Sequence, residues 1–160
     1  MAEIQLQPIS ETDRRWLERV ARLHFGSEKV IIHDTFFSPV EEEGFIAFLD
    51  KKKVGPVSLV QSGKTGEIIF LDALQGREDI FTSLLAGAEA WSRGCGCKRL
   101  SVTTTNDNTD ALRIYQQYGF HLSELRVGAV FSSRKKKPEI PETGCNNIPI
   151  RDEIDLELDL

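Results

Sequence analysis

The sequence predicts a single α/β domain, residues 1–160, and two patterns lead to that class. Three strand-like runs, GFIAFLD, VGPVSLVQ and GEIIFLDAL, follow one another with only KKK and SGKTG between them, which predicts an antiparallel meander. Further along, two segments with apolar residues at helical spacing alternate with strand-like segments. A chain of 160 residues with 40% hydrophobic and 28% charged residues suits one globular domain with a substantial core.

The part before the meander predicts a strand, a helix and a loop. Glu3 to Pro8 alternates as a short strand, and Ser10 opens a helix that ends at Gly26. The apolar residues of this helix recur at helical spacing: Trp16, Leu17, Val20, Ala21 and Leu23. An apolar VII at 30–32 then precedes a loop through FFSPVEEE. Within the meander, Pro56 favours an edge strand or a bulge, because proline has no N–H to donate.

The second half alternates between helix and strand. From Asp79 the apolar period is helical, and the inward face consists of Ile80, Phe81, Leu84, Leu85, Ala88 and Trp91. After the strand KRLSVTT, a second helix runs from about Asn108 to a stop at Gly119-Phe120. A helix that links two strands usually makes them parallel neighbours. The final RDEIDLELDL predicts a strand buried on one face, whose alternation also allows pairing across a homodimer.

Composition excludes several classes of function. The last ten residues carry five of the 25 acidic and one of the 20 basic side chains, so the remainder is nearly balanced and offers no broad surface for nucleic acid or an anionic membrane. We interpret Arg134 to Lys137 as a solvated loop, with anion contact as the lesser alternative. No leader and no membrane-length apolar run are present, so we expect a cytoplasmic protein. Three cysteines and three scattered histidines indicate reduced thiols and no metal site.

The stretch TTTNDNTDALRIYQQYGF resembles the GNAT superfamily of acetyl-CoA-dependent N-acetyltransferases. The family pattern after a strand is Asn-x-x-Ala-x-x-x-Tyr-x-x-x-Gly-Phe, and Asn108, Ala111, Tyr115, Gly119 and Phe120 fill every position. The resemblance implies a mixed β-sheet with helices on both faces, splayed between its fourth and fifth strands, with acetyl-CoA in the gap. Splayed strands leave unpaired backbone groups that suit a pantetheine arm.

The resemblance also implies roles for two side chains on the helix that begins at about Asn108. Tyr115 stands where many relatives place a tyrosine that protonates the departing CoA thiolate, and a phenol of pKa ~10 suits a thiolate of pKa ~8.5. The alternatives are that Tyr115 is a core aromatic and that Tyr118 has the role. Asn108 would lie near the pantetheine or the adenine, or would only cap the helix.

A second implied site lies on the strand GEIIFLDAL. Glu67 resembles the strand-borne general base of histone-type relatives, which is needed because an amine is mostly protonated at neutral pH. The alternative is an exposed glutamate at the start of a strand. Leu71, Asp72 and Ala73 would supply backbone groups to the thioester carbonyl and the pantetheine.

The turn after this strand departs from the family pattern. Gly76 to Phe81 occupy the six positions of Gln/Arg-x-x-Gly-x-Gly/Ala, which binds the cofactor diphosphate, and Asp79 and Phe81 replace both glycines. The carboxylate of Asp79 can accept the N–H groups that an anion would use, whereas Arg77 can contact phosphate. We therefore expect weakened acetyl-CoA binding, and the sequence leaves open whether acetyl-CoA binds at all. The residues implied at the cofactor are Leu71, Asp72, Ala73, Arg77, Asp79, Ile80, Phe81, Thr82 and Asn108.

These observations lead us to expect an N-acetyltransferase that acts on a primary amine of a small molecule or a protein. The catalytic residues would be Glu67 as base and Tyr115 as acid. The main alternative is a noncatalytic module of the same fold, which the lost glycines favour. A thiol redox protein that uses Cys95 and Cys97 has little support, because no activating base is near them in sequence.

Overall fold

The computed structural model describes residues 3–160 as a seven-stranded sheet, a separate two-stranded hairpin and four α-helices. The strands are β1 Gln5–Pro8, β2 Val30–Ile32, β3 Thr35–Phe37, β4 Glu43–Leu49, β5 Lys52–Ser62, β6 Thr65–Leu71, β7 Arg99–Thr105, β8 His121–Arg126 and β9 Glu153–Asp159. The helices are α1 Arg14–Phe25, α2 Glu78–Gly94, α3 Thr109–Tyr118 and α4 Ala129–Lys136. The strand order is β1-β4-β5-β6-β7-β9-β8, and only β6 and β7 pair in parallel.

Helices cover both faces of the sheet, as the sequence predicted. On one face, α2 packs Ile80, Leu84 and Leu85, all fully buried, against the sheet and α3. On the other face, α1 packs Leu17 and Val20 against Phe70 of β6. Each such side chain contributes about 1.5–3 kcal/mol when it is removed from water, so apolar helical faces of this kind fix each helix on its own side.

The predicted end of α3 is confirmed. Gly119 has φ of 130°, a conformation that favours glycine, and the N–H of Phe120 donates to the carbonyl of Tyr115 at 3.0 Å. The ring of Phe120 then packs on that of Tyr115, with centroids 5.4 Å apart. The motif therefore fixes the orientation of Tyr115 from both its own helix and the chain that follows.

Two features of the first half narrow the expectations from the sequence. Leu23 shares the helical spacing of the apolar residues of α1 but is 87% exposed, so the buried stripe of this helix is narrower than its apolar pattern. Pro56 lies in β5, which pairs with β4 and β6, so the edge-strand alternative fails. The strand accommodates a proline next to a register shift, since β5 has an extra residue at Val54 opposite β4.

Two expectations about the second half are wrong. Arg134 to Lys137 form the end and cap of α4 instead of a solvated loop, and Lys137 is only 3% exposed. The strand β9 lies between β7 and β8, so its backbone has no free edge for pairing across a homodimer. A homodimer formed in another way stays a prediction. Among residues 3–160, no helix is long and apolar enough to cross a membrane.

Candidate functional site

The parallel strands β6 and β7 separate halfway along their length. Residues 65–68 pair with residues 99–102, and beyond them the two strands diverge. Residues 70–71 remain paired with β5 and residues 103–105 with β9, so both strands keep their outer partners. The backbone N–H and C=O groups that face the gap therefore have no strand partner and are available to an extended ligand.

A β-bulge lies at the point of separation. Ser58 pairs with Phe70 and Leu59 pairs with Ile68, so Ile69 is the extra residue of β6. Because of the bulge, Ile69 and Phe70 are both buried on the side of α1 and β2, where strict alternation would separate them. The bulge thus coincides with the point at which β6 stops pairing with β7.

A cavity of about 550 Å³ fills the gap between the strands. Its floor is formed by residues 68–71 and 102–105, and its walls come from both faces of the sheet. The walls include His24, Phe25, Asn108, Tyr115 and Lys137. This volume is within the range of small-molecule sites, roughly 300–1,000 Å³.

Tyr115 is 5% exposed and lines this cavity. Its ring packs edge-on against Phe81 and Phe120, at centroid distances of 5.3 and 5.4 Å. Burial raises the pKa of the Tyr115 phenol above its usual value, so the hydroxyl stays protonated at neutral pH. Within residues 3–160, the hydroxyl forms no hydrogen bond to another protein group, which leaves it able to donate to a ligand.

Tyr118 has a different environment from Tyr115. Its hydroxyl donates to Glu89 at 2.8 Å, and the residue does not line the cavity. Burial and the bond to Glu89 raise the pKa of Tyr118 to about 12. Asn108 caps α3 by accepting the N–H of Ala111 at 3.2 Å, and it also lines the cavity. Capping the helix is therefore compatible with a position near a bound ligand.

The second predicted catalytic residue, Glu67, lines a different cavity, of about 330 Å³, on the same face as Ile69. Burial raises the pKa of Glu67, with Asp155 adding to the effect and His33 opposing it. The structure therefore does not bring Glu67 together with Tyr115. The two cavities meet at Thr103, which lines both.

The smaller cavity also contains a network centred on Asp155, which is 9% exposed. Asp155 contacts the ring nitrogen of His33 at 2.8 Å, the hydroxyl of Thr103 at 2.8 Å and the guanidinium of Arg126 at 2.9 Å. Burial raises the pKa of this carboxyl, but the three hydrogen bonds outweigh burial and lower the pKa overall. Each buried oxygen of Asp155 is thus satisfied within the fold.

The turn before α2 neutralises its own carboxylates. Asp79 forms two contacts with the Arg77 guanidinium, at 2.5 and 3.1 Å, and accepts the N–H of Ile80 at 3.0 Å. Glu78 pairs with Arg113 of α3 at 2.5 Å. Each of the two acids therefore has an arginine partner, and the hydrogen bond from Arg77 lowers the pKa of Asp79.

The remaining residues implied at the cofactor divide between core and turn. Ile80 is fully buried in the core, and Phe81 packs on Tyr115. The Thr82 hydroxyl donates to carbonyls of its own helix. Of the residues that end β6, Leu71 lines the cavity. The N–H of Asp72 donates to the carbonyl of Pro56, and the carbonyl of Ala73 accepts the N–H of Gly76.

Sequence reasoning missed a histidine in the main cavity. His24, near the end of α1, places Nδ1 3.2 Å from the carboxylate of Asp72, which follows β6. The hydrogen bond to Asp72 raises the pKa of His24 against the opposing effect of burial. No spacing in the sequence signals this pair, because only the packing of α1 on β6 brings the two residues together. Among residues 3–160, no group of three His, Cys, Asp or Glu side chains forms a metal site.

Comparisons with known proteins agree with this architecture. The family model described as "Acetyltransferase (GNAT) family" matches residues 10–120. The uncharacterized protein YxbD of Bacillus subtilis strain 168 is 39% identical over 132 residues, 82% of this chain and 83% of its own length. The uncharacterized protein YdhI of the same strain is 34% identical over 148 residues, 92% of each chain.

Solved structures share the fold along the whole chain. An IAA acetyltransferase from Bacillus cereus superposes with a TM-score of 0.73 at 23% identity, covering 99% of this chain and 100% of its own. An acetyltransferase from Bacillus subtilis, solved in complex with CoA, gives a TM-score of 0.69 at 19% identity and covers 100% of this chain and 99% of its own. Identities this low establish a common fold, so substrate and activity have to be argued from the site.

Proposed function

Because this chain belongs to the GNAT acetyltransferase family, we propose that it transfers an acetyl group from acetyl-CoA to a primary amine of a small molecule or a protein. The observation that carries the proposal is the divergence of β6 and β7, which opens a cavity with Tyr115 in its wall. The structural relatives solved with CoA or acetyl-CoA support the choice of cosubstrate.

The residues at the gap suit acetyl-CoA. The facing edges of residues 69–71 and 103–105 offer backbone donors and acceptors to a pantetheine arm, and the bulge at Ile69 lies where this unpaired stretch of β6 begins. At the start of α2, Arg77 compensates Asp79, which stands where the family has a glycine, and Arg113 compensates the neighbouring Glu78. The turn therefore repels a diphosphate less than its sequence suggests, although Arg77 is occupied by Asp79.

Acetyl-CoA would supply the thioester carbonyl that an amine attacks. The protein would accept one proton from the amine and donate one to the departing sulfur. Tyr115 is suited to donate its proton to the departing sulfur, because its hydroxyl has no competing protein partner and it lines the cavity. For the base that deprotonates the amine, the geometry favours His24 over Glu67, since His24 lines the same cavity as Tyr115. Its Nδ1 contacts Asp72, which leaves Nε2 to accept a proton. Glu67 stays a candidate through water at the junction near Thr103.

The second candidate function is a noncatalytic binding module of the same fold. The absence of both glycines from the diphosphate turn favours this alternative. Against it, Phe81 packs inward on Tyr115, and the carboxylate of Asp79 is paired, so neither replacement closes the main cavity.

Assays of acetyl transfer and of ligand binding distinguish the acetyltransferase from the noncatalytic binding module. The protein is incubated with acetyl-CoA and a panel of primary amines together with a peptide that carries a free amino terminus and a lysine. Free thiol is measured by a chromogenic reagent, and acetylated products are identified by mass spectrometry. An acetyltransferase releases CoA in step with an N-acetylated product. A binding module binds acetyl-CoA or another ligand and releases no CoA above the rate without protein.

A further inference from the structure

The ammonium group of Lys137 is buried without a carboxylate partner. Lys137 caps α4, is 3% exposed and lines the main cavity. Its Nζ donates to the carbonyl of Lys29 at 2.7 Å and lies 5.3 Å from the centroid of the Phe25 ring. Within residues 3–160, no carboxylate oxygen lies within 4.0 Å of this nitrogen. An ammonium has three N–H donors, so one carbonyl leaves two of them unused.

The neighbours of Lys137 in sequence behave differently. Arg134 donates to the carbonyls of Ile140, Pro141 and Ile150 and holds the segment after α4 in place. Lys136 is exposed and pairs with Asp34 at 3.6 Å, and Lys135 is exposed. Lys137 is therefore the residue of this basic run that lines the cavity.

A buried cation without a counter-ion costs free energy, which a bound anion can offset. Burial lowers the pKa of Lys137, while Glu139 and Glu28 oppose the shift from beyond contact distance. Of these two glutamates, Glu28 is itself paired with Arg22 at 2.9 Å. The compact ammonium carries one positive charge, so it suits a single negative charge better than a phosphate monoester.

Lys137 and the proposed base, His24, line the same cavity and contact the same aromatic ring. The ring of His24 stacks edge-on against Phe25 at a centroid distance of 5.0 Å, and Lys137 lies 5.3 Å from the same Phe25 ring. One small molecule can thus place an amine at His24 and an anionic group at Lys137. The wall of the same cavity includes the apolar side chains of Phe25, Val30 and Ile140.

We propose that the acceptor of this acetyltransferase is an amino carboxylic acid whose carboxylate is bound by Lys137. The inference rests on the proposed function, because it assigns a substrate class to the same cavity. The carboxylate uses the free donors of Nζ, the apolar wall contacts the carbon skeleton, and the amine lies at His24 and faces the thioester.

Matched acceptor pairs test the proposal without mutation. The rates of CoA release are compared for L-phenylalanine against 2-phenylethylamine and for 6-aminohexanoate against hexylamine, so that short and long spacings between amine and carboxylate are both covered. A charge-assisted hydrogen bond predicts that at least one acid is preferred over its amine by about 10- to 100-fold in kcat/KM, mainly through KM. Equal or better use of both plain amines overturns the proposal and leaves the acetyltransferase function intact.

Variants assign the preference to one side chain. Lys137→Met keeps most of the side-chain volume and is expected to lower kcat/KM for the amino acid to the value for the matching amine. Lys137→Arg should retain part of the preference for the acid. The matched control Lys135→Met, on the same helix and exposed, retains it in full. A preference that survives in a folded Lys137→Met protein refutes the role of Lys137.

Equilibrium binding keeps the proposal testable if none of these acceptors turns over. Calorimetry in the presence of CoA compares N-acetyl-L-phenylalanine with N-acetyl-2-phenylethylamine, and repeats the comparison for the N-acetyl derivatives of the longer pair. Tighter binding of at least one acid, lost in Lys137→Met, supports the carboxylate site even where the transfer assay is silent. The absence of any difference in both pairs overturns it.

Discussion

Replacing each of two tyrosines on α3 by phenylalanine should separate catalysis from stability. Tyr115 and Tyr118 share the helix, and both rings pack near Phe120. Their hydroxyls differ: that of Tyr115 lines the cavity without a protein partner, and that of Tyr118 donates to Glu89 at 2.8 Å. The same chemical change therefore removes a proton donor in one case and a structural hydrogen bond in the other.

The expected magnitudes follow from these contacts. Tyr115→Phe removes general acid catalysis, typically worth about 10²- to 10⁴-fold, and should lower kcat while the Kd of acetyl-CoA changes little. Because no protein hydrogen bond is lost, its free energy of unfolding should stay within ~0.5 kcal/mol of the parent. Tyr118→Phe should keep kcat and lose about 0.5–1.5 kcal/mol of stability, a Tm decrease of roughly 1–6 °C.

The assay combines initial rates of CoA release, calorimetry with acetyl-CoA and thermal unfolding on all three proteins. The reasoning fails if Tyr115→Phe turns over at the parental rate, or if Tyr118→Phe loses turnover while Tyr115→Phe does not. In the first case water protonates the sulfur, and in the second the two tyrosines exchange roles.

Three further results are expected. If His24 is the base, kcat should rise with pH through an apparent pKa above the ordinary ~6.5 of histidine. His24→Gln should flatten this rise and Glu67→Gln should not; the reverse pattern would indicate that Glu67 is the base. Calorimetry should show that Asp79→Asn binds acetyl-CoA more tightly than the parent protein, because Arg77 is then free to contact the diphosphate. The difference should be largest at low salt. Asp159→Asn, at the other end of the sheet, is the control and should leave the affinity unchanged. Asp155→Asn should lose about 1.5–3 kcal/mol in urea unfolding at neutral pH. Because the pKa of Asp155 is depressed in the folded state, this difference in the free energy of unfolding between parent and variant is present above pH ~3.9 and disappears as the pH falls through the folded-state pKa. A difference that stays constant with pH contradicts this prediction.

The sequence was most informative where its signals are local. The helical stop at Gly119-Phe120 and the apolar face of α2 were predicted correctly, because each depends on residues within a few turns of one another. The motif around Tyr115 led to the correct helix and fold family for the same reason. The separation of β6 and β7 followed from the family resemblance, since no local pattern encodes where two strands diverge.

The parts of the site that sequence reasoning missed depend on contacts between distant segments. His24 meets Asp72 only because α1 packs on β6, and Lys137 contacts Phe25 and the carbonyl of Lys29 only because the end of α4 packs against the end of α1 and the segment after it. A run of four basic residues resembles a solvated segment in sequence, since the pattern records charge and not burial. The pairing of Asp79 with Arg77 was equally hidden, because two adjacent opposite charges in sequence can point apart or together.

Calorimetric titration with acetyl-CoA tests the central claim most directly, because it examines the gap between β6 and β7 before any acceptor is identified. The experiment uses the full chain at low and at physiological salt, with free CoA as the second ligand. The account predicts saturable binding of one acetyl-CoA per chain with a Kd of about 1 mM or lower, in the range of typical KM values, and tighter binding at low salt. A folded protein that binds neither acetyl-CoA nor CoA at that concentration contradicts the account.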